Sequence, residues 1–179
     1  MHEGYAFLDE KCLLLASEIL RELARYVTLR VAVMTAHANA TLTLERAVLR
    51  HGLEGLQVYP AQAFEPGELI DRAARAVMGV RLHDVRWCAT PSAPAVAIDG
   101  SEEAQTCRNA FMSVVARAVE LAGVVGNLER LRLEYRRSLR RARALHDVLL
   151  PELDRDVQEI ELRLEELEQE DAIAMRPRR

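Results

Sequence analysis

The chain has 179 residues, enough for one ordinary domain; half are apolar, yet aromatics make up only 4%. That composition, rich in Ala, Leu, Glu and Arg, indicates long helices rather than a mixed core built on aromatic anchors. The net charge of −4 argues against a dedicated nucleic-acid binder. Three dispersed cysteines, Cys12, Cys88 and Cys107, suggest neither a disulfide framework nor a CxxC zinc site and fit reduced, intracellular thiols.

The first segment, 1–51, is expected to be a coiled-coil helix. Its N-terminus lacks the basic-then-apolar layout of a signal peptide. Neither Gly nor Pro occurs between Tyr5 and His51. Apolar or small residues recur at steps of three and four: Leu8, Cys12, Leu15, Ile19, Leu23, Tyr26, Leu29, Val33, His37, Ala40, Leu44 and Ala47. His37 reads as a packing residue on that seam. His51 reads as the helix end, where a cation meets the negative pole of the dipole.

Residues 52–100 hold most of the glycines and prolines and read as a compact insert. "PGELIDRAARAVMG" is predicted to form a short helix closed by Gly79. "VRLHDVRWC" and "PAVAID" are predicted to be the two strands of a hairpin, with a bulge near His83 and Asp84. Cys88 beside Trp87 reads as hairpin packing rather than a nucleophile.

The last segment, 101–179, is predicted to be a second, longer helix. Ser101 can cap it, and Glu102 and Glu103 complement the dipole in the first turn. Its seam runs Leu128, Leu131, Tyr135, Leu139, Ala142, Leu145, Leu149, Leu153, Val157, Ile160, Leu164, Leu167. The most apolar run, "FMSVVARAVELAGVVG", carries Arg117 and Glu120, so direct membrane insertion is not expected. Pro151 lies within the helix without a break in the seam. A continuous helix, bent or loosened there with the Asp147 carbonyl freed, is therefore predicted. An arginine band containing Arg130, Arg132, Arg136, Arg137, Arg140, Arg141 and Arg143 precedes an acidic band from Glu152 to Asp171, where Glu159 and Arg163 are placed to pair at i,i+4.

Two such seams cannot stand alone. The fold class expected is mainly α: a long antiparallel two-helix coiled coil with a small α/β-hairpin insert at the turn-around end. The chemical motifs GxxxxGK[ST], GxGxxG, HExxH and GxSxG are absent, and the five histidines have no metal-ligand spacing. No catalytic residue, cofactor or metal site is assigned, which leaves a mechanical or scaffolding role.

Three segments carry a family resemblance. "LRRARALHDVLLPELDRDVQEIELRLEELEQED" resembles the C-terminal helix of the D subunit, the central rotor shaft, of the V-type and archaeal A-type rotary ATPases. Arg140, Arg141, Ala144, Leu145, Pro151, Glu168, Glu170 and Asp171 occupy matching positions. "AVMGVRLHDVR" resembles the family's VMGV and following hairpin, and Gly4, Leu8, Lys11 and Leu14 or Leu15 match its first motif. The chain departs at Arg143, where the family has Asn, and at His146, where it has Glu. The family also carries about one to two dozen more residues before the position of Gly4. Antiparallel pairing then leaves roughly 30 residues without a partner, from about Pro151 on.

The resemblance implies a non-catalytic central-stalk protein in the cytoplasm, peripheral to a membrane through its complex. It implies as partners an F-like stalk protein, the catalytic A and B subunits, and the component linking the stalk to the membrane ring. The partner-contact candidates are Arg140, Arg141, Leu145, Pro151, Glu168, Glu170, Asp171, Met78 and Gly79. A non-rotary helical-hairpin scaffold or chaperone-like protein is the alternative.

Overall fold

The computed structural model describes residues 2–65, 67–92, 96–97 and 99–174. It is mainly helical, with long helices at both ends of the sequence and one two-stranded antiparallel hairpin between them. Helix α1 spans His2–Gln57, strand β1 Ile70–Val77, strand β2 Val80–Trp87 and helix α2 Glu102–Ala144. A single π-helical turn, Leu145–Leu149, leads directly into helix α3, Leu150–Ala174. The chain divides into two compact units, residues 1–14 with 134–179, and residues 15–133.

In the first unit the α1 and α2 segments run antiparallel: Tyr5 meets His146 with ring centroids 5.2 Å apart, and Lys11 meets Glu134 at 2.6 Å. In the second unit α1 and α2 are also antiparallel, joined at one end where the His51 ring bonds the Ser101 hydroxyl. The regular course of α1 stops at Gly52, whose φ of 71° and ψ of 168° leave the helical region, so His51 does end the main helix. Ser101 caps α2 as expected: its hydroxyl accepts from the Ala104 N–H at 3.1 Å.

The buried seam of α1 differs from the apolar one in an instructive way. The buried positions are Cys12, Leu15, Glu18, Glu22, Ala40, Thr43 and Ala47. Leu23 and Leu44 are exposed, and Glu22 and Thr43 take their places. His37 is exposed as well, and Ala36, one residue earlier, is the half-buried neighbour. The physical face follows steps of three and four through polar residues; an apolar-only reading slips by one position at each of them.

The hairpin is also displaced from its sequence assignment. The segment predicted as a short helix is β1, and its partner is β2 rather than "PAVAID". Val96 and Ala97 are not in a strand, and Pro94, Ala95 and Ile98 lie outside the described residues. Alanine and arginine favour helix in isolation. Cross-strand pairing overrides that preference, with an unbroken register from Ile70 opposite Trp87 to Val77 opposite Val80 and no bulge at His83 or Asp84. The two-residue connection needs positive φ at both positions, as in a type I′ turn; Met78 (46°) and Gly79 (84°) supply it. Gly79 is thus a hairpin turn residue, not a helix terminator.

The insert leaves and rejoins the helices beside His51 and Ser101, while its hairpin folds back along them to reach Glu18–Arg25 on α1 and Gly123–Asn127 on α2. By length and composition alone, one stretch of Glu102–Asp171 qualifies as a membrane span, with a mean hydropathy of 1.4 over its best window. Only 11% of that window is buried in the fold, and α2 also carries Arg117, Glu120 and the fully buried Asn127.

Candidate functional site

The hairpin is fixed by three kinds of contact, all within residues 15–133. The first is ionic. One face of β1 and β2 carries Arg75 and Asp84 towards α1. The Arg75 Nη2 lies 2.6 Å from Glu18 Oε1 and 2.7 Å from Glu22 Oε1. Arg25 joins Glu22 at 3.1 Å to Asp84 at 2.9 Å, and Arg21 adds a 2.7 Å bond to Glu18. Three guanidinium groups therefore neutralise three carboxylates. Glu22 is 0% exposed, and its Oε2 has no partner among the described residues, so its compensation runs entirely through Oε1.

The second contact is a clamp on backbone. Asn127 is fully buried in α2; its Oδ1 accepts from the His83 N–H at 2.8 Å, and its Nδ2 donates to the His83 carbonyl at 3.0 Å. In an antiparallel ladder alternate residues turn both backbone groups away from the partner strand. At His83 the asparagine side chain takes the role of a third strand and closes the β2 edge.

The third contact is a close approach. A Cβ on Gly123 would meet Val85 Cγ2 at 2.8 Å and its Cβ at 2.9 Å. Gly123→Ala is expected to cost about 1–3 kcal/mol through overpacking, offset by up to about 1 kcal/mol of helix propensity. In a Val85→Ala background the Cγ2 clash is gone but the Cβ contact at 2.9 Å remains, so the cost of the same change should shrink without vanishing. Urea denaturation of the four variants measures this coupling.

In the other unit, Lys11 and Glu134 form the main cross-helix ion pair, and the Tyr5 ring lies against His146 at the start of the π turn. Proline at 151 can neither donate a backbone bond nor tolerate the Asp147 carbonyl in its usual place. The helix answers by widening: the Leu150 N–H reaches back to the Leu145 carbonyl, a five-residue step. The helix is continuous and loosened, as the sequence indicates.

Past this turn Leu150 is buried and Leu153 half-buried, and then every described side chain to Asp171 is exposed. Val157, Ile160, Leu164 and Leu167 are each more than half exposed, and Glu159 pairs with Arg163 on the same helix. A second bare face lies on α1, where Leu20, Val27, Val31, Met34, Leu42 and Leu49 are each more than half exposed. Small residues (Ala40, Ala47, Ala104, Cys107, Ala142) fill much of the buried helix faces, so many of the larger ones point outward.

The candidates named from sequence fall into three groups. Met78 and Gly79 form the hairpin turn. Arg140 and Arg141 are exposed on α2, whereas Leu145 and Pro151 are half-buried around the π turn. Glu168, Glu170 and Asp171 are exposed on α3. The polar cluster of Glu18, Glu22, Arg75, Asp84 and Asn127 is absent from the sequence reading. Its one sequence signal is the spacing of Glu18 and Glu22, which complete the three–four steps of the seam.

Hydrogen bonding from Arg25 holds the Asp84 carboxyl below its usual range, and Lys11 does the same for Glu134. Burial pushes the Cys12 thiol up, away from thiolate chemistry. Both depressed carboxyls contribute stability that is present above their unfolded values, about 4, and is lost as pH falls through the folded ones. Melting temperature is therefore expected to fall below about pH 4. Glu134→Gln should flatten part of that fall. Among the described residues no group of three His, Cys, Asp or Glu is placed to hold a metal.

No curated protein matches the sequence. The family model for the D subunit of ATP synthase matches residues 1–176, taking in both terminal helices and the hairpin.

Proposed function

Because the chain belongs to the ATP synthase D-subunit family, whose members are rotary ATPase stalk proteins, we propose that it is the non-catalytic central shaft of a V/A-type enzyme. On this reading it couples ATP hydrolysis or synthesis in a head of A and B subunits to ion movement through a membrane ring. Its partners are those subunits, an F-like stalk protein and the component that seats the stalk on the ring. The protein performs no chemistry of its own and stays outside the bilayer.

The observation that carries this reading is the pair of bare apolar faces, on α1 and on α3, in a chain of this family. A soluble protein that left such faces uncovered would be prone to associate. Arg140, Arg141, Leu145, Pro151, Glu168, Glu170 and Asp171 supply contacts along α2 and α3, and Met78 and Gly79 supply one at the hairpin tip. Strong helix formers throughout give a stiff element, and exposed Arg and Glu give the shaft a surface that can slide past successive partners.

Co-expression with A, B and F-like proteins is expected to yield one assembly containing this chain. Ile160→Asp with Leu164→Asp should then weaken its retention in the head or uncouple hydrolysis from rotation. A monodisperse monomer that binds neither the head nor the F-like protein overturns the proposal and favours a non-rotary helical scaffold.

A further inference from the structure

A groove of about 330 Å³ lies between the outer face of the hairpin and α2. Its floor and walls are apolar, formed by Ile70, Val85, Val119 and Ala122 with Gly123 and Gly126, and its polar rim is formed by Arg72, His83 and Arg130. We propose that this groove binds a short acidic–apolar peptide segment of a partner protein, with carboxylates held by Arg72 and Arg130 and an apolar side chain seated on Val119 and Ala122.

Three observations support this occupant. First, charge: among the described residues neither Arg72 nor Arg130 has a carboxylate partner, in a chain whose net charge is −4. Among the described residues the hydrogen bond that Arg130 makes is to the Asn127 Oδ1, at 3.3 Å. The contrast with Arg21, Arg25 and Arg75, all paired on the opposite side of the same hairpin, is direct. Second, shape: a helix interior glycine costs about 1 kcal/mol relative to alanine. Gly123 is required by Val85, but a Cβ on Gly126 would meet only the tip of Arg130, at 3.4 Å. Hairpin packing therefore does not need Gly126; an open groove does. Third, amphipathy: apolar walls under two guanidinium groups match a segment that offers both characters. A free inorganic anion would leave the walls wet, so the peptide is the better fit.

The test is a titration of the full-length ¹⁵N-labelled chain, followed by NMR, with an eight-residue capped peptide alternating glutamate and leucine. Its glutamine counterpart and inorganic phosphate serve as controls. Saturable shifts are expected at the amides of Ile70, Arg72, Val119 and Ala122, at least tenfold weaker with the glutamine peptide. Arg72→Ser with Arg130→Gln should abolish them. If the double variant loses its native spectrum, Val119→Glu, which places a like charge on the groove floor, serves in its place. Absence of saturable shifts in the groove, or an equal response to the glutamine peptide, overturns the proposal. Saturation by phosphate as tight as by the peptide also overturns it, in favour of a free-anion site. The result is independent of co-purification with the ATPase head.

Discussion

Replacing Arg75 with alanine is expected to lower stability by about 3 kcal/mol, at the lower end of what breaking a buried ion pair costs. The loss arises less from the missing attraction than from the carboxylates left behind. Glu22 is wholly buried and Glu18 nearly so, and Arg75 is the only hairpin residue bonded to either. Arg21 and Arg25 remain to hold one carboxylate each, which keeps the figure from being larger. For a chain of this size the change is a fall in melting temperature of roughly 6–12 °C. Arg75→Lys should recover only part, because an ammonium cannot reproduce the planar fork that reaches both glutamates. Arg75→Met combined with Glu18→Gln and Glu22→Gln should recover most, since no buried charge is then uncompensated. A loss below about 1 kcal/mol for Arg75→Ala would show that the helix arginines suffice alone.

Asn127→Ala is expected to cost about 2–4 kcal/mol by a different route. It removes one donor and one acceptor from the His83 backbone, and each group left without a partner costs about 1–3 kcal/mol where water cannot reach it. Asn127→Asp should be nearly as damaging: one oxygen still accepts from the His83 N–H, but the other faces a carbonyl oxygen. Amide hydrogen exchange separates this variant from the Arg75 one. Protection should drop first at His83 and its β2 neighbours after the Asn127 change, before any loss in the helices. Unchanged exchange at His83 would mean that the clamp is dispensable.

What can be read from the sequence follows from which signals are periodic. The helices are legible because long three–four spacing, a serine cap and first-turn glutamates agree with one another. The exposure of α3 beyond Pro151 is legible too, as a comparison of helix lengths. The hairpin position is not. Its first strand is written in alanine and arginine, and what selects strand there is pairing with Val80 and Leu82, both buried. The Met78–Gly79 pair is the available sign, since glycine suits the second position of a two-residue hairpin turn as well as the end of a helix. The polar cluster is illegible for a simpler reason. A seam defined by hydrophobicity passes over glutamate, threonine and asparagine, and at Glu22, Thr43 and Asn127 those are the residues the fold buries.

The π turn before Pro151 also settles a matter of gearing. Each residue of an α-helix rotates the chain by about 100°, so a step of four overshoots a full revolution by about 40°. Across the turn the buried stripe steps five residues, from Leu145 to Leu150, with Leu149 left exposed, which on a regular α-helix would overshoot by about 140°. The wide turn absorbs that extra residue by local unwinding. The proline and the spacing thus require the same thing at the same place. Deleting Val148 would restore an ordinary turn and swing every side chain of α3 by about 100° around its axis, leaving composition and charge almost untouched. On the proposed shaft reading, a head that senses the angular position of this chain would then receive the right surface at the wrong phase.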